Sequence, residues 1–217
     1  MPSSVRRVFF ADYAFDVWRD VYEPAEDSFL FAENLVLKHG DYVLDVGTGC
    51  GVLGVIAAAK AAKVVGVDIN PYAVRCAKQN ARLNHISNKM FFVQGDLFAP
   101  LRIEEKFDLI LFNAPYLPTE NDEESSWSVR AWSGGEKGRQ VIDRFISEFP
   151  KYLRQGGRVL LMQSTLSDVD KTLKELTEQG MHAEIMARRD LLFFETIVLL
   201  EAKNLEARIK QGVSKSA

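Results

Sequence analysis

The chain has 217 residues, 47% of them hydrophobic and 26% charged, ordinary values for a soluble globular protein long enough for one substantial core. Its formal charge of -3 argues against a protein whose main task is coating nucleic acid. Cys50 and Cys76 are too few for a disulfide framework or a zinc site, and no metal is assigned. The apolar runs are strand-sized, short of the roughly 20 residues a membrane span needs, and no membrane partner is expected. Met1 to Asp12 holds no apolar signal-peptide core, so a cytoplasmic location is the default expectation.

In chain order, Phe29 to Leu37 reads as an apolar helix and Tyr42 to Val46 as a strand. Val52 to Ala62 is alanine-rich and helical, and Val64 to Asp68 is a second strand. Asn70-Pro71 starts a helix running to about Asn84, Asn as cap and Pro as first helical residue. Met90 to Val93 and Phe107 to Phe112 are further strands. Thr119 to Ser128 is acidic and polar, and reads as a long loop. Val141, Ile142, Phe145, Ile146 and Phe149 fall at helical spacing within Gly138 to Arg154. Gly156-Gly157 ends that helix, and Arg158 to Gln163 returns as a strand. Ser167-Asp168 caps a helix to about Gln179, before strands at Ala183 to Ala187 and Phe193 to Leu200. This alternation predicts an α/β fold, a seven-stranded, mostly parallel sheet with helices on both faces. Residues 1–200 are expected to form one domain and 201–217 a C-terminal tail.

The chemistry gathers at strand ends, where an open parallel sheet presents its ligand crevice. After the first strand comes Asp45-Val46-Gly47-Thr48-Gly49-Cys50-Gly51, whose glycines let backbone pass close to a ligand. The spacing is G-x-G-x-G; a dinucleotide fingerprint would need glycine where Val52 stands. Asp68 ends the second strand, about 20 residues on, where a carboxylate can chelate two ribose hydroxyls. At Gly95-Asp96-Leu97, Asp96 can accept from an adenine amino group while a backbone N–H caps a ring nitrogen. Read singly, Asp68 is equally a helix cap and Asp45 equally a brace for the turn. Together the order describes a nucleoside without a pyrophosphate. It resembles the Rossmann-like class I S-adenosylmethionine methyltransferases, over Tyr42 to about Leu200.

The fourth strand runs into Asn113-Ala114-Pro115-Tyr116. An asparagine amide both donates and accepts, proline pins the backbone, and tyrosine adds a flat wall. The set resembles the Asn-Pro-Pro-Tyr signature of amino-group and amide methyltransferases, with Ala114 in place of the first proline. In that family the Asn side-chain oxygen and the next carbonyl accept the two N–H bonds of a planar nitrogen. Ala114 keeps the carbonyl and loses only rigidity.

Two flanking segments narrow the match. Val21-Tyr22-Glu23-Pro24-Ala25-Glu26-Asp27-Ser28 and Ala131-Trp132-Ser133-Gly134-Gly135-Glu136-Lys137-Gly138-Arg139, the latter followed by Val141-Ile142-Asp143-Arg144-Phe145, resemble the eukaryotic and archaeal HemK/Mtq-type methyltransferases. Members methylate the glutamine side-chain amide in the Gly-Gly-Gln motif of class I release factors. The resemblance implies that Ser28, Asp45, Gly47, Gly49, Gly51, Asp68, Asp96, Leu97 and Asn113 hold S-adenosylmethionine. It also implies that Asp27, Asn113, Tyr116 and Trp132 border the substrate, with Trp132 and Arg139 shaping a loop over it. A small zinc-binding activator subunit docking beside the sheet is implied too, with Met90 to Val93 as the candidate edge. Alternatives are a nucleic-acid adenine or rRNA amino-group methyltransferase, a protein lysine methyltransferase, and a non-catalytic S-adenosylmethionine-binding protein.

Overall fold

The structure, a computed structural model, describes residues 5–119, 126–192 and 195–204. Strands β1 (Val5–Phe10) and β2 (Tyr13–Trp18) form a separate antiparallel hairpin, followed by helix α1 (Glu26–Glu33). Then come β3 (Tyr42–Val46), α2 (Val52–Ala58), β4 (Lys63–Asp68), α3 (Pro71–Leu83), β5 (Met90–Gln94) and β6 (Phe107–Asn113). The remainder is α4 (Trp127–Arg130), α5 (Gln140–Glu148), β7 (Leu153–Ser164), α6 (Val169–Glu178), β8 (Met181–Asp190) and β9 (Thr196–Asn204).

Seven strands make one sheet in the order β5-β4-β3-β6-β7-β9-β8. β5 to β7 are parallel in that order, and β9 runs antiparallel between β7 and β8. Central strands buried on both faces must be apolar throughout, which is why β3 and β6 read as unbroken hydrophobic runs. Val43, Leu44, Leu109, Ile110 and Leu111 are all fully buried. The order reverses beside β3, where β4 lies on one side and β6 on the other. The ends of β3, β4 and β6 therefore meet over one crevice. Among the described residues no helix is long and apolar enough to cross a membrane.

Several element bounds differ from the sequence expectation, each for a local reason. The N-terminal hairpin was not expected at all. α1 starts earlier than expected, at Glu26, bringing Asp27 and Ser28 into its first turn. α2 stops at Ala58, and Ala62 donates its N–H to the Asp41 carbonyl, turning the chain into β4. α5 ends at Glu148 because Pro150 brings no N–H to continue the ladder, and Phe149–Tyr152 tightens into a 3-10 turn. β7 starts before the glycine pair, which lies in the register shift opposite Phe107 and Leu109. β9 continues to Asn204, so the boundary expected at residue 200 falls inside a strand. The charges there belong to a ladder: buried Glu201 faces Arg158 at 3.9 Å and Lys203 at 2.6 Å. The rest of the expected tail, 205–217, lies outside the described residues, as do 120–125 of the expected acidic loop and Phe193-Phe194 of the last expected strand.

Candidate active site

The crevice is a cavity of about 520 Å³ that takes in nearly all the residues singled out from sequence. Its floor is the glycine turn after β3. Gly47, Gly49 and Gly51 have φ of +64°, +56° and +89°, a region side-chain-bearing residues avoid. Gly51 also lies against α3, where an added Cβ would come within 3.1 Å of the Ala77 Cβ. Asp45 braces this turn from below: its Oδ2 accepts from the Thr48 hydroxyl at 2.7 Å and the Gly54 N–H at 3.0 Å. Burial outweighs both bonds and pushes the Asp45 carboxyl from 3.8 up to about 7. Asp45 lines the cavity, but its polar contacts are those of a turn brace.

Asp68, at the end of β4, accepts from the Gly49 N–H at 2.8 Å and the Asn70 N–H at 2.9 Å. Its carboxyl is raised by burial. Asp96 sits at the cavity mouth and is already paired, receiving Arg144 of α5 at 2.6 Å. Leu97 beside it holds φ of +47°, an uncommon conformation for a branched side chain and one that marks strain at this turn.

The Asn113 carboxamide ends β6 and is held by its NH₂ group, which donates to Asp27 Oδ2 at 3.0 Å and to Ser28 Oγ at 3.3 Å. Its Oδ1 is buried and has no hydrogen-bond partner among the described residues. A flipped amide would set that oxygen against a carboxylate, so the Asp27 charge fixes the orientation. Asp27, itself buried, also accepts from the Tyr22 hydroxyl at 3.1 Å, the Ser28 N–H at 2.6 Å and, at a long 3.4 Å, the Tyr116 hydroxyl. Burial, then the Asp27 charge, push both phenols above their ordinary value, so both hydroxyls remain proton donors. Glu195, ahead of β9, adds to the negative field on both.

Ala114 is buried, and Pro115 and Tyr116 continue the cavity wall. Across from them runs the segment Trp132 to Gly138. The Leu117 N–H donates to the Trp132 carbonyl at 2.9 Å, Gly134 returns a bond to Leu117 at 2.9 Å, and Thr119 donates to Gly135 at 3.0 Å. Trp132, partly exposed, lines the cavity with Trp127 and Arg130. Arg139 does not reach the cavity. It is buried and ties α5 to α6 through the Ser167 and Asp168 carbonyls, Thr172 and Glu175.

Sequence reasoning thus gathered the strand-end residues and missed three that complete them. Tyr22 and Arg144 lay in matched segments without a role; Glu195 carried no local signal. Among the described residues no group of three or more His, Cys, Asp or Glu is placed to hold a metal.

A family model for ribosomal protein L11 methyltransferase (PrmA) matches residues 28–114, the stretch from α1 to the asparagine motif. A putative protein N5-glutamine methyltransferase of Methanocaldococcus jannaschii is 47% identical over 182 residues, covering 83% of this chain and 90% of that protein. The human methyltransferase HEMK2 is 36% identical over 173 residues, 75% of this chain and 80% of its own. Among solved structures, Mtq2 in the E. cuniculi Mtq2–Trm112 complex, responsible for methylating the termination factor eRF1, superposes with a TM-score of 0.63. It is 26% identical, over 85% of this chain and 99% of that one. With the sheet order, the strand-end acids and the asparagine motif all in place, the chain belongs to the HemK/Mtq-type protein N5-glutamine methyltransferases, class I methyltransferases by fold.

Proposed function

We propose that this enzyme transfers a methyl group from S-adenosylmethionine to the glutamine side-chain amide in the Gly-Gly-Gln motif of a class I release factor. One observation carries the reading: Asn113 is locked by its NH₂ group, leaving a buried acceptor oxygen that none of the described residues satisfies. An unsatisfied buried acceptor is costly unless a ligand completes it. A planar amide N–H is the donor that fits, and the Ala114 carbonyl offers the second acceptor. Tyr116 and Trp132 wall the flat group.

S-adenosylmethionine, when bound, supplies a methyl group on an electrophilic sulfonium. The fit of the cavity to that group rests on the glycine turn, on Asp68 for the ribose and on Asp96 with Leu97 for the adenine. Ser28 lies between Asp27 and Asn113, so it borders both the cofactor's polar end and the reacting amide. An amide nitrogen has a delocalised lone pair and is a weak nucleophile. The chain's contribution is therefore orientation: two acceptors fix the N–H bonds and aim the remaining lone pair. No strong base is required of the residues here, and Asp27 serves to hold Asn113.

A small activator subunit is part of the same reading. β5 is the sheet edge, with Phe91 52% exposed, so its main-chain groups are open to strand addition. The E. cuniculi relative is solved in complex with a second protein, Trm112, which supports this reading.

Asn113→Ala tests the mechanism. Methyl transfer should fall about 10²–10³-fold, the range for losing one positioned polar contact in a transition state, with S-adenosylhomocysteine still bound. Undiminished transfer by the variant would show that the asparagine clamp is wrong, and no transfer by the wild-type enzyme would favour a purely binding protein.

A further inference from the structure

Away from the reacting groups, Asn80 of α3 is fully buried and its amide joins three elements. Its Oδ1 accepts the Asp16 N–H of β2 at 2.9 Å, and its Nδ2 donates to the Asp16 carbonyl at 3.0 Å and the Cys50 carbonyl at 2.9 Å. With Asp16 it makes the two-way exchange that a neighbouring strand would make. Asn84 repeats the exchange with Ala14, accepting at 3.1 Å and donating at 2.8 Å. The spacing explains the match: helix residues four apart rise about 6 Å, and alternate strand residues are separated by about 7 Å. Two side-chain amides thus stand in for a strand edge along β2.

The two asparagines differ in their remaining bond. Asn84 spends it on the Asn80 carbonyl of its own helix, at 2.8 Å. Asn80 spends it on Cys50, inside the glycine turn that lines the cavity. The same turn rests on Ala77, one helical turn earlier on α3. A second link runs alongside: Asn70 Nδ2 donates to the Asp20 carbonyl at 2.6 Å, while its backbone N–H holds Asp68. The N-terminal segment is therefore bonded to the seat of the glycine turn and to the neighbour of the ribose acid.

We infer that the N-terminal hairpin is part of the cofactor site at second hand. Asn80 is a positioning residue that fixes the Gly49-Cys50-Gly51 backbone only while β2 is docked. Cofactor binding and hairpin docking are accordingly coupled. The inference rests on the reading that this turn and Asp68 hold S-adenosylmethionine.

The test pairs S-adenosylhomocysteine titration with amide hydrogen exchange on the full chain. In the unmodified protein, saturating S-adenosylhomocysteine should slow exchange at the Ala14 and Asp16 amides. Asn80→Ala should weaken its binding about ten-fold, the ratio one buried hydrogen bond is worth, and uncouple the exchange effect. Asn84→Ala loses a comparable hairpin contact without touching the turn, and should lower stability while affinity stays within about two-fold. Equal affinity losses in the two variants would overturn the positioning role of Asn80, and no loss in Asn80→Ala would overturn the coupling as well. Unchanged exchange in the unmodified chain would do the same, and decides the matter alone if Asn80→Ala does not fold. A wild-type chain with no affinity for S-adenosylhomocysteine sinks both this inference and the cofactor reading beneath it; binding with no Asn80 effect sinks only the inference.

Discussion

Asp27 accepts from Tyr22, Ser28, Asn113 and Tyr116, and its charge decides which end of the Asn113 amide is left without a partner among the described residues. Asp27→Asn keeps the shape but introduces donors, so the Asn113 amide loses its fixed orientation. The expected result is a fall in kcat of about 10–100-fold with little change in S-adenosylhomocysteine affinity, since orientation is what is lost. A variant with normal kcat would show that Asp27 orients nothing. Asp45 makes a prediction in pH. Its carboxyl titrates at 3.8 when free and about 7 when folded, so the folded chain holds the extra proton between those values. The stability it contributes is full below the lower value and is lost as pH rises through the upper one. Asp45→Asn should flatten the dependence of Tm on pH across that window, and an unchanged slope would contradict the assignment. Both cysteines are buried and their thiols are pushed up by burial, Cys76 to about 11. Alkylation at pH 8 should therefore require unfolding, and fast labelling of the native chain would count against it.

The strand-end residues were legible because each element announces its end: an apolar run, then Asp68, Asp96 or Asn113. The N-terminal hairpin was not. Val5-Arg6-Arg7-Val8-Phe9-Phe10 has no period of two, and its turn carries Ala11 at φ +47° where glycine or asparagine would have signalled it. Its docking partners, Asn80 and Asn84, are more than 60 residues away, within and at the C-terminal cap of a helix where amides look merely polar. The segment after α4 was legible only by resemblance, and the structure gives the reason for its glycines. A Cβ on Gly138 would overlap the Tyr116 carbonyl, and φ there is +67°. Gly138→Ala should cost about 1–3 kcal/mol of stability and displace Tyr116. The substrate KM should then rise more than the S-adenosylhomocysteine Kd; equal changes would mean that the segment does not shape the substrate side.

Across the whole sheet, Arg158 of β7 ties the chain before β3 to the last strand. It reaches the Val36 carbonyl at 2.6 Å, Asp41 at 3.2 Å and Glu201 at 3.9 Å, the Arg158, Asp41 and Glu201 side chains being buried. Arg158→Ala leaves the buried Asp41 carboxylate without its cation, while Glu201 keeps Lys203, and should destabilise by about 3–5 kcal/mol in urea unfolding. At the opposite edge, Phe91→Glu on β5 should leave Tm unchanged while weakening assembly with a Trm112-type partner. Full solubility and cofactor affinity without any partner would argue against that subunit. The central claim, a clamp for a glutamine amide, is tested most directly by substrate. Labelled S-adenosylmethionine should mark an intact release factor and leave unmarked one whose Gly-Gly-Gln glutamine is replaced by alanine. Equal labelling of both would contradict the account.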